Sequence, residues 1–176
     1  AAALLLSLGP IIAAFHGTPV AIGYPWLPQA GFALILRMDG LAVLFILLIL
    51  GIGLLIILYA NYYLAQDDPP DRFFALLLFF MGAMVGVVLS DHLLQLLVFW
   101  ELTSLSSFLL IGFRHRVSAA RQGARMALTV TGTGGLAMLA GFLLLGHIAG
   151  SYQISVILGM GDVIRAHPLY VPTLLL

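Results

Sequence analysis

Residues 93–113 read LLQLLVFWELTSLSSFLLIGF, and Glu101 is the only charged side chain among them. A run of 21 residues has about the length that a helix needs to cross the hydrocarbon core of a bilayer. A helix rises ~1.5 Å per residue, so Glu101 lies about 13 Å from His92 and close to the membrane midplane. A carboxylate at that depth costs roughly 2.5–3.5 kcal/mol on insertion scales, and such acids usually serve a function. The run therefore predicts a transmembrane helix built around a functional acid.

The composition of the whole chain also indicates a membrane protein. Hydrophobic residues make up 62% of the 176 residues and charged residues 8%, with a mean hydropathy of +1.16. Soluble domains are about 45–50% apolar and about 25% charged. The formal net charge is zero, so charge predicts no nucleic-acid partner. The lack of cysteine excludes disulfides and cysteine-bound metals in this chain.

Long apolar runs interrupted by prolines, glycines and charges predict an all-α, polytopic transmembrane helix bundle. We expect about five spans and the start of another, at residues 1–15, 40–64, 73–90, 93–113, 126–150 and 168–176. Prolines between residues 16 and 36 indicate an external or interfacial loop, in which Tyr24 and Trp26 suit headgroup depth. We expect residues 1–176 to be a fragment of one membrane domain in a longer protein.

The arginines predict how the spans are oriented. Five of the seven arginines fall on one side of the predicted spans and two on the other. The first group is Arg72, Arg114, Arg116, Arg121 and Arg125, and the second is Arg37 and Arg165. Basic residues accumulate on the cytoplasmic side of a membrane. We therefore expect a multi-pass protein of the cell (inner) membrane, with the loop from Arg114 to Arg125 in the cytoplasm.

The surroundings of Glu101 on its own helix are mostly apolar. At ~100° per residue, Ser104 is the hydroxyl nearest to it on the same face. A buried carboxyl that meets a nearby cation can take up and release a proton, which is what a proton relay requires. The alternative is an acid paired with a basic residue only to fix helix packing. The hydroxyl groups of residues 103–107 likewise indicate either helix packing or proton conduction.

Weaker candidates lie near the ends of the helices. Asp91 and His92 form the short link before the Glu101 helix, where they could feed protons or form a solvated hairpin turn. His147 lies near a helix end and is either an interfacial proton carrier or a solvated or capping histidine. The five histidines have no metal-ligand spacing, and the chain has no motif for a redox cofactor or for hydrolysis. We therefore predict no catalytic residue, no metal and no cofactor.

Two groups of glycines indicate close contacts between helices. Gly82 and Gly86 have the spacing of a small-residue packing face. Gly132, Gly134 and Gly135 lie near the middle of the next span. They indicate either close packing against the Glu101 helix or a flexible point beside a water path.

Residues 99–113, FWELTSLSSFLLIGF, resemble the signature helix of the large A subunit of Mrp-type monovalent cation/proton antiporters. That subunit is homologous to the antiporter-like proton-pumping subunits of respiratory complex I. Further matches occur at residues 37–41, 59–63, 87–91, 124–128 and 134–141. The Trp-Glu pair is shared across the superfamily, whereas the continuation Leu-Thr-Ser-Leu-Ser-Ser favours the Mrp A subunit.

The resemblance implies a bundle of many helices in which Glu101 matches the family's key glutamate. In the family this glutamate pairs with a lysine on a later helix, and because this chain has no lysine we expect the partner beyond Leu176. Some complex I relatives carry an aspartate in place of Gly134 and Gly135, and His92 stands where relatives often have asparagine. The implied partners are the other membrane subunits of a hetero-oligomeric antiporter complex, the lipid bilayer, protons and Na⁺ or K⁺.

Three functions remain open from the sequence. The first is part of a monovalent cation (Na⁺/K⁺):proton antiporter subunit, which is not an enzyme and moves protons through Glu101. The second is a proton-translocating, non-redox subunit of a complex I-like NADH dehydrogenase or of a membrane-bound hydrogenase. The third is a purely structural helix bundle. The residues that separate the first two are expected downstream of Leu176.

Overall fold

The computed structural model describes residues 18–27, 32–64 and 69–176. These ranges hold a β-hairpin followed by a series of helices. The strands are β1 (Val20–Leu27) and β2 (Phe32–Met38), and the helices are α1 (Gly40–Tyr63), α2 (Pro70–Leu89), α3 (Leu93–Ile111), α4 (Ser118–Ala149), α5 (Ile154–Leu158), α6 (Gly161–Ala166) and α7 (Tyr170–Leu175). In the described ranges, α1 to α4 are long and apolar enough to cross a membrane. The predicted span at residues 1–15 lies outside the described residues.

Residues 20–38 contain a β-hairpin where the sequence predicted an interfacial loop. β1 pairs antiparallel with β2, Val20 lies opposite Met38, and the register shifts between Pro25 and Leu27. Proline is tolerated at a bulge or on an edge strand, and both strands of a hairpin are edges. Pro25 lies where the register shifts and does not abolish the pairing, so the loop prediction was wrong for the two strands.

The hairpin is attached to the helices near the start of α3. The backbone N–H of Asp91 donates to the carbonyl of Ile35 (3.0 Å), and the N–H of Ile35 donates to Gln95 Oε1 (2.8 Å). Leu36 and Ser90 form an antiparallel bridge. Strand β2 therefore fixes the link between α2 and α3.

Charge and proline mark where α1 and α2 begin. Asp39 precedes α1, and its Oδ1 accepts a hydrogen bond from the N–H of Ala42 (2.9 Å). The carboxylate also lies 3.9 Å from Arg37 Nε. α2 begins at Pro70, three residues before the predicted start, because a proline in the first turn of a helix needs no N–H partner.

Two glycines let α1, α2 and α3 pack closely. A side chain at Gly53 of α1 would overlap Met81 of α2, and a side chain at Gly86 of α2 would overlap the ring of Phe99 on α3. Gly82 is exposed, and nothing lies within 4 Å of the position that its Cβ would occupy. Of the predicted packing pair, only Gly86 is therefore used among the described residues.

α4 is longer than predicted and begins inside the predicted loop from Arg114 to Arg125. Its 32 residues extend ~48 Å, whereas a hydrocarbon core is ~30 Å thick. The helix is therefore longer than the apolar layer is thick, and its first two turns carry Arg121 and Arg125. Arginine is a good helix former, so these charges do not end the helix. The link between α3 and α4 is reduced to residues 112–117.

The connection predicted at residues 151–167 contains two short helices, α5 and α6. Both pack against the adjacent ends of α3 and α4. The buried residues of this cluster are Leu93, Ala149, Ile157 and Ile164. The connection is therefore an ordered cap on one end of the α3–α4 pair.

α7 turns back along α4. Its first residue, Tyr170, packs against the same cluster, and a Cβ placed on Gly141 would lie 3.4 Å from Leu176 Cβ. Residue numbers rise along α7 while they fall along the facing part of α4. The two helices are therefore antiparallel.

Candidate functional site

Glu101 lies in the middle of α3 and faces α4. Its side chain is half-buried, and Oε1 is a buried atom with no hydrogen-bond partner among the residues that the structure describes. Gly135 of α4 lies directly against the carboxyl, because a Cβ built on Gly135 would overlap Oε1. A buried polar group left without a partner costs about 1–3 kcal/mol. The carboxyl is therefore held between two helices at an energetic cost that packing alone does not explain.

Gly135 is the member of the glycine group that contacts Glu101. It is buried, whereas the Cβ positions of Gly132 and Gly134 have nothing within 4 Å among the described residues. The sequence left two interpretations of the group open, close packing and a flexible point. Close packing against the Glu101 helix holds for Gly135.

The hydroxyl groups near Glu101 are bonded to their own helix. Ser104 Oγ donates to the carbonyl of Trp100 (3.3 Å), and Thr103 Oγ1 donates to the same oxygen (2.7 Å). Ser106, which is fully buried, donates to the carbonyl four residues earlier (2.8 Å). A hydroxyl has one proton to donate. The proton of Ser104 is therefore directed at the backbone of α3 and not at the Glu101 carboxyl.

Asp91 is buried, and its carboxylate accepts three hydrogen bonds. Oδ1 accepts from the backbone N–H of Ser155 (2.9 Å), and Oδ2 accepts from Ser155 Oγ (2.7 Å) and Gln153 Nε2 (3.1 Å). Ser155 lies in the first turn of α5, so Asp91 satisfies one of the free N–H groups at that helix end. Asp91 is 3% exposed and His92 is 4% exposed. The interpretation of this pair as a solvated turn is therefore wrong.

The two candidate histidines lie in different surroundings. His92 is buried, and its ring stacks on that of Tyr152 with centroids 5.9 Å apart. His147 is exposed in the last turn of α4, where a helix dipole favours a cation. It is about 18 Å along α4 from Gly135, so the structure does not bring it to Glu101.

Two cavities whose linings include charged or polar residues lie at opposite ends of α3. The polar residues of the first, of about 350 Å³, are Arg37, Asp39, Ser90 and Asp91. The basic residues of the second, of about 260 Å³, are Arg72, His115, Arg121 and Arg125. Glu101 is ten residues from Asp91 and eleven from Gly112, which lines the second cavity, or about 15 Å and 17 Å along the helix. The acid is therefore midway between the two cavities.

Sequence reasoning missed three polar residues near the start of α3. Gln95 is 7% exposed, and its Nε2 has no hydrogen-bond partner among the described residues. Gln153 and Ser155 hold the Asp91 carboxylate. A lone amide inside an apolar run was the available signal for Gln95. In the described part of the chain, no group of three or more histidine or acidic side chains could hold a metal ion.

Two family models match the chain. Residues 26–74 match the N-terminus of chain 5 of NADH-ubiquinone oxidoreductase (complex I), and residues 90–171 match the transmembrane family of NADH:quinone oxidoreductase and the Mrp antiporters. The chain belongs to this antiporter family. Glu101 and Gly135 both fall inside the second match. The resemblance drawn from the Trp-Glu helix is thereby confirmed.

Curated members of the antiporter family are similar to most of the chain. It is 59% identical over 151 residues to the A/B subunit of a probable K⁺/H⁺ antiporter of Rhizobium meliloti (strain 1021), a match that covers 86% of the chain and 15% of that protein. It is 44% identical over 153 residues to the A subunit of the Na⁺/H⁺ antiporter of Alkalihalophilus pseudofirmus, a match that covers 86% of the chain and 19% of that protein. The chain thus spans less than a fifth of the length of these two relatives.

Two solved structures share the fold of this chain. The Mrp complex from Dietzia sp. DQ12-45-1b superposes with a TM-score of 0.81 and 31% identity, over 97% of this chain and 19% of that one. A chain of the archaeal membrane-bound sulfane sulfur reductase superposes with a TM-score of 0.72 and 19% identity, over 96% and 34%, which is a likeness of fold. The predicted all-α, multi-pass membrane fold is confirmed, and the hairpin is a small addition to it.

Proposed function

We propose that the chain is part of a subunit of a monovalent cation/proton antiporter, in which Glu101 carries protons across the membrane midplane. The observation that supports this is the buried Oε1, which has no hydrogen-bond partner in the described residues and lies against α4. Acids inside a membrane are costly and mark proton or ion pathways. The names of the relatives, subunits of K⁺/H⁺ and Na⁺/H⁺ antiporters, agree with this function.

Glu101 takes up a proton from one end of α3 and releases it toward the other. The two polar cavities lie about 15 Å and 17 Å from it along the helix, which is too far for a single hydrogen bond. Water molecules or other polar groups must therefore bridge each half of the path. Asp91 and His92 lie at the end with the first cavity, and their part in the relay stays a prediction. Ser104 and His147 are accessory candidates on the same basis.

The proposal includes the cation, the partners and the orientation. Na⁺ or K⁺ moves against the protons, and the other membrane subunits of an Mrp-type complex surround the chain in the cell (inner) membrane. Residues Arg114 to Arg125, which include the start of α4, face the cytoplasm. The arginine bias of five against two supports this orientation, and it does not depend on where α4 begins.

A second candidate function is a proton-translocating subunit of a complex I-like oxidoreductase. Its support is that the first family model describes a complex I chain, and the second covers NADH:quinone oxidoreductase together with the Mrp antiporters. The two candidates differ in what drives the protons. An antiporter moves protons when Na⁺ or K⁺ is added without an electron donor, whereas an oxidoreductase subunit needs electron transfer.

The test is Glu101→Gln in the complete antiporter complex. Everted membrane vesicles report proton release when Na⁺ or K⁺ is added, and we expect the glutamine variant to lose this response while the complex assembles normally. Asp71→Asn is the matched control, because Asp71 is an exposed acid at the start of α2. Normal exchange by the glutamine variant would leave a structural helix bundle as the correct interpretation.

A further inference from the structure

Gly135 leaves α4 without a side chain at the point where the Glu101 carboxyl meets it. A Cβ on Gly135 would overlap Oε1 and come within 2.9 Å of the carboxyl carbon. Glycine inside a helix is less favourable than alanine by roughly 0.5–1 kcal/mol. The glycine is therefore explained by a contact that alanine would not allow.

We propose that Gly135 is a positioning residue for the proton relay of Glu101. Because Gly135 has no side chain, α4 leaves a space at this residue, which we call the slot. The slot accommodates the Glu101 carboxyl between α3 and α4 and fixes the direction in which the carboxyl points. The inference rests on the proposed function of Glu101. Even a methyl group in the slot turns the carboxyl away from α4. The proton carrier then leaves its place midway between the two polar cavities, and the distances to its donors and acceptors change.

The buried state of Oε1 is the second observation behind this role. The atom contacts backbone and is cut off from water without gaining a hydrogen bond from the described residues. Such a position is unfavourable for a carboxyl that is free to rotate. The contact at Gly135 is therefore a constraint imposed by the α3–α4 interface, and it is removed as soon as the slot is filled.

Gly132 is the matched control for the slot. It lies in the same helix, and its Cβ position has nothing within 4 Å. Gly134 is less suitable, because at ~100° per residue it shares a face with Gly141, where α7 packs. Replacing Gly132 or Gly135 by alanine raises the helix propensity of α4 by the same amount. A difference in exchange rate between the two variants therefore reports the contact with Glu101.

The experiment compares Gly135→Ala and Gly132→Ala in the complete antiporter complex. A displacement of about 1 Å at a reacting group can cost about a hundredfold in rate, so we expect Gly135→Ala to slow cation-driven proton exchange by about tenfold to a hundredfold. Gly132→Ala should stay within about twofold of the parent, as expected for an open site. Assembly of both variants is checked by co-purification of the partner subunits.

A rescue distinguishes positioning from general damage to α4. Aspartate is one methylene shorter than glutamate, so Glu101→Asp relieves the overlap with a methyl group at residue 135. We expect the double variant G135A/E101D to exchange faster than G135A alone, although E101D alone is slower than the parent. A distortion of α4 would not be relieved by shortening a side chain on α3.

The outcomes separate this inference from the proposed function. An inactive Glu101→Gln together with a fully active Gly135→Ala would overturn only the role of Gly135. Equal losses in Gly135→Ala and Gly132→Ala, or no recovery in the double variant, would overturn it as well. A fully active Glu101→Gln would overturn the proposed function itself.

Discussion

Asp91 accepts two hydrogen bonds from Ser155, which is 64 residues further along the chain. The backbone N–H donates to Oδ1 (2.9 Å) and the hydroxyl donates to Oδ2 (2.7 Å). These bonds tie the start of α3 to the first turn of α5, shortly after α4 ends. The pair therefore joins α3 to the far end of α4, opposite the short link at residues 112–117.

Asp91→Ala should destabilise the protein because it removes the acceptor of three hydrogen bonds. Ser155 loses an acceptor for its N–H and for its hydroxyl, and the Gln153 amide keeps only Ser155 Oγ (3.0 Å) as an acceptor. A buried donor left unpaired costs about 1–3 kcal/mol, and because these donors are half-buried we expect a total toward the lower end of that range. We expect a lower unfolding temperature of the purified complex and faster proteolysis within residues 151–160. Asp91→Asn keeps one acceptor oxygen, so its unfolding temperature should lie between those of the parent and of Asp91→Ala. An unchanged unfolding temperature for Asp91→Ala would mean that apolar packing alone holds α5 in place.

Gly86 and Gly82 should respond differently to the same substitution. Gly86→Ala places a methyl group inside the ring of Phe99, and inserting a methyl into a packed contact costs typically about 1–3 kcal/mol. Gly82→Ala meets open space and gains helix propensity. We expect Gly86→Ala alone to lower the yield and thermal stability of the assembled complex. Equal stability of the two variants would show that the α2–α3 contact can shift without cost.

The cationic partner of Glu101 should lie about two helical turns beyond Leu176. Leu176 packs at Gly141, and Gly141 is six residues from Gly135, or ~9 Å along α4. Since α7 runs antiparallel to α4, a continuation of α7 would bring a residue about six positions after Leu176 to the level of Glu101. We expect a lysine near that position. Its replacement by alanine should abolish exchange as Glu101→Gln does, and a continuation with no basic residue there would contradict the pairing.

The orientation can be tested with single cysteines, because the chain has none of its own. His115 and Asp162 are exposed at opposite ends of the α3–α4 pair. We expect His115→Cys to react with a membrane-impermeant maleimide only in everted vesicles, and Asp162→Cys only in intact cells. The reverse pattern would place the arginine-rich end outside.

The sequence predicted the membrane helices well because their signal is one of composition. Glu101 was found in the same way, since it is the one acid in a run of 21 residues whose other members are apolar or neutral. The start of α4 was missed because a run of arginines indicates a loop, whereas Arg121 and Arg125 lie in the first two turns of the helix.

The parts that the sequence did not predict depend on contacts between distant residues. Nothing local shows that Asp91 will meet Ser155, or that Gly135 and not Gly134 will face Glu101. The hairpin was missed for another reason: three prolines indicated a loop, yet Pro25 lies where the strand pairing is already irregular. The composition of a segment thus predicts the length of its helix, but it does not predict which distant residue each side chain contacts.

Helices α3 and α4 are connected at both ends. Residues 112–117 link them at one end, and the hydrogen bonds between Asp91 and Ser155 link them at the other. Because the two helices are joined at both ends, neither can slide or tilt far relative to the other. Many transporters alternate by rocking one group of helices against another. In such a rocking motion, α3 and α4 would move together as one unit. If Glu101 carries protons as proposed, we expect water and the polar groups on either side of it to move them, while α3 and α4 keep their relative position.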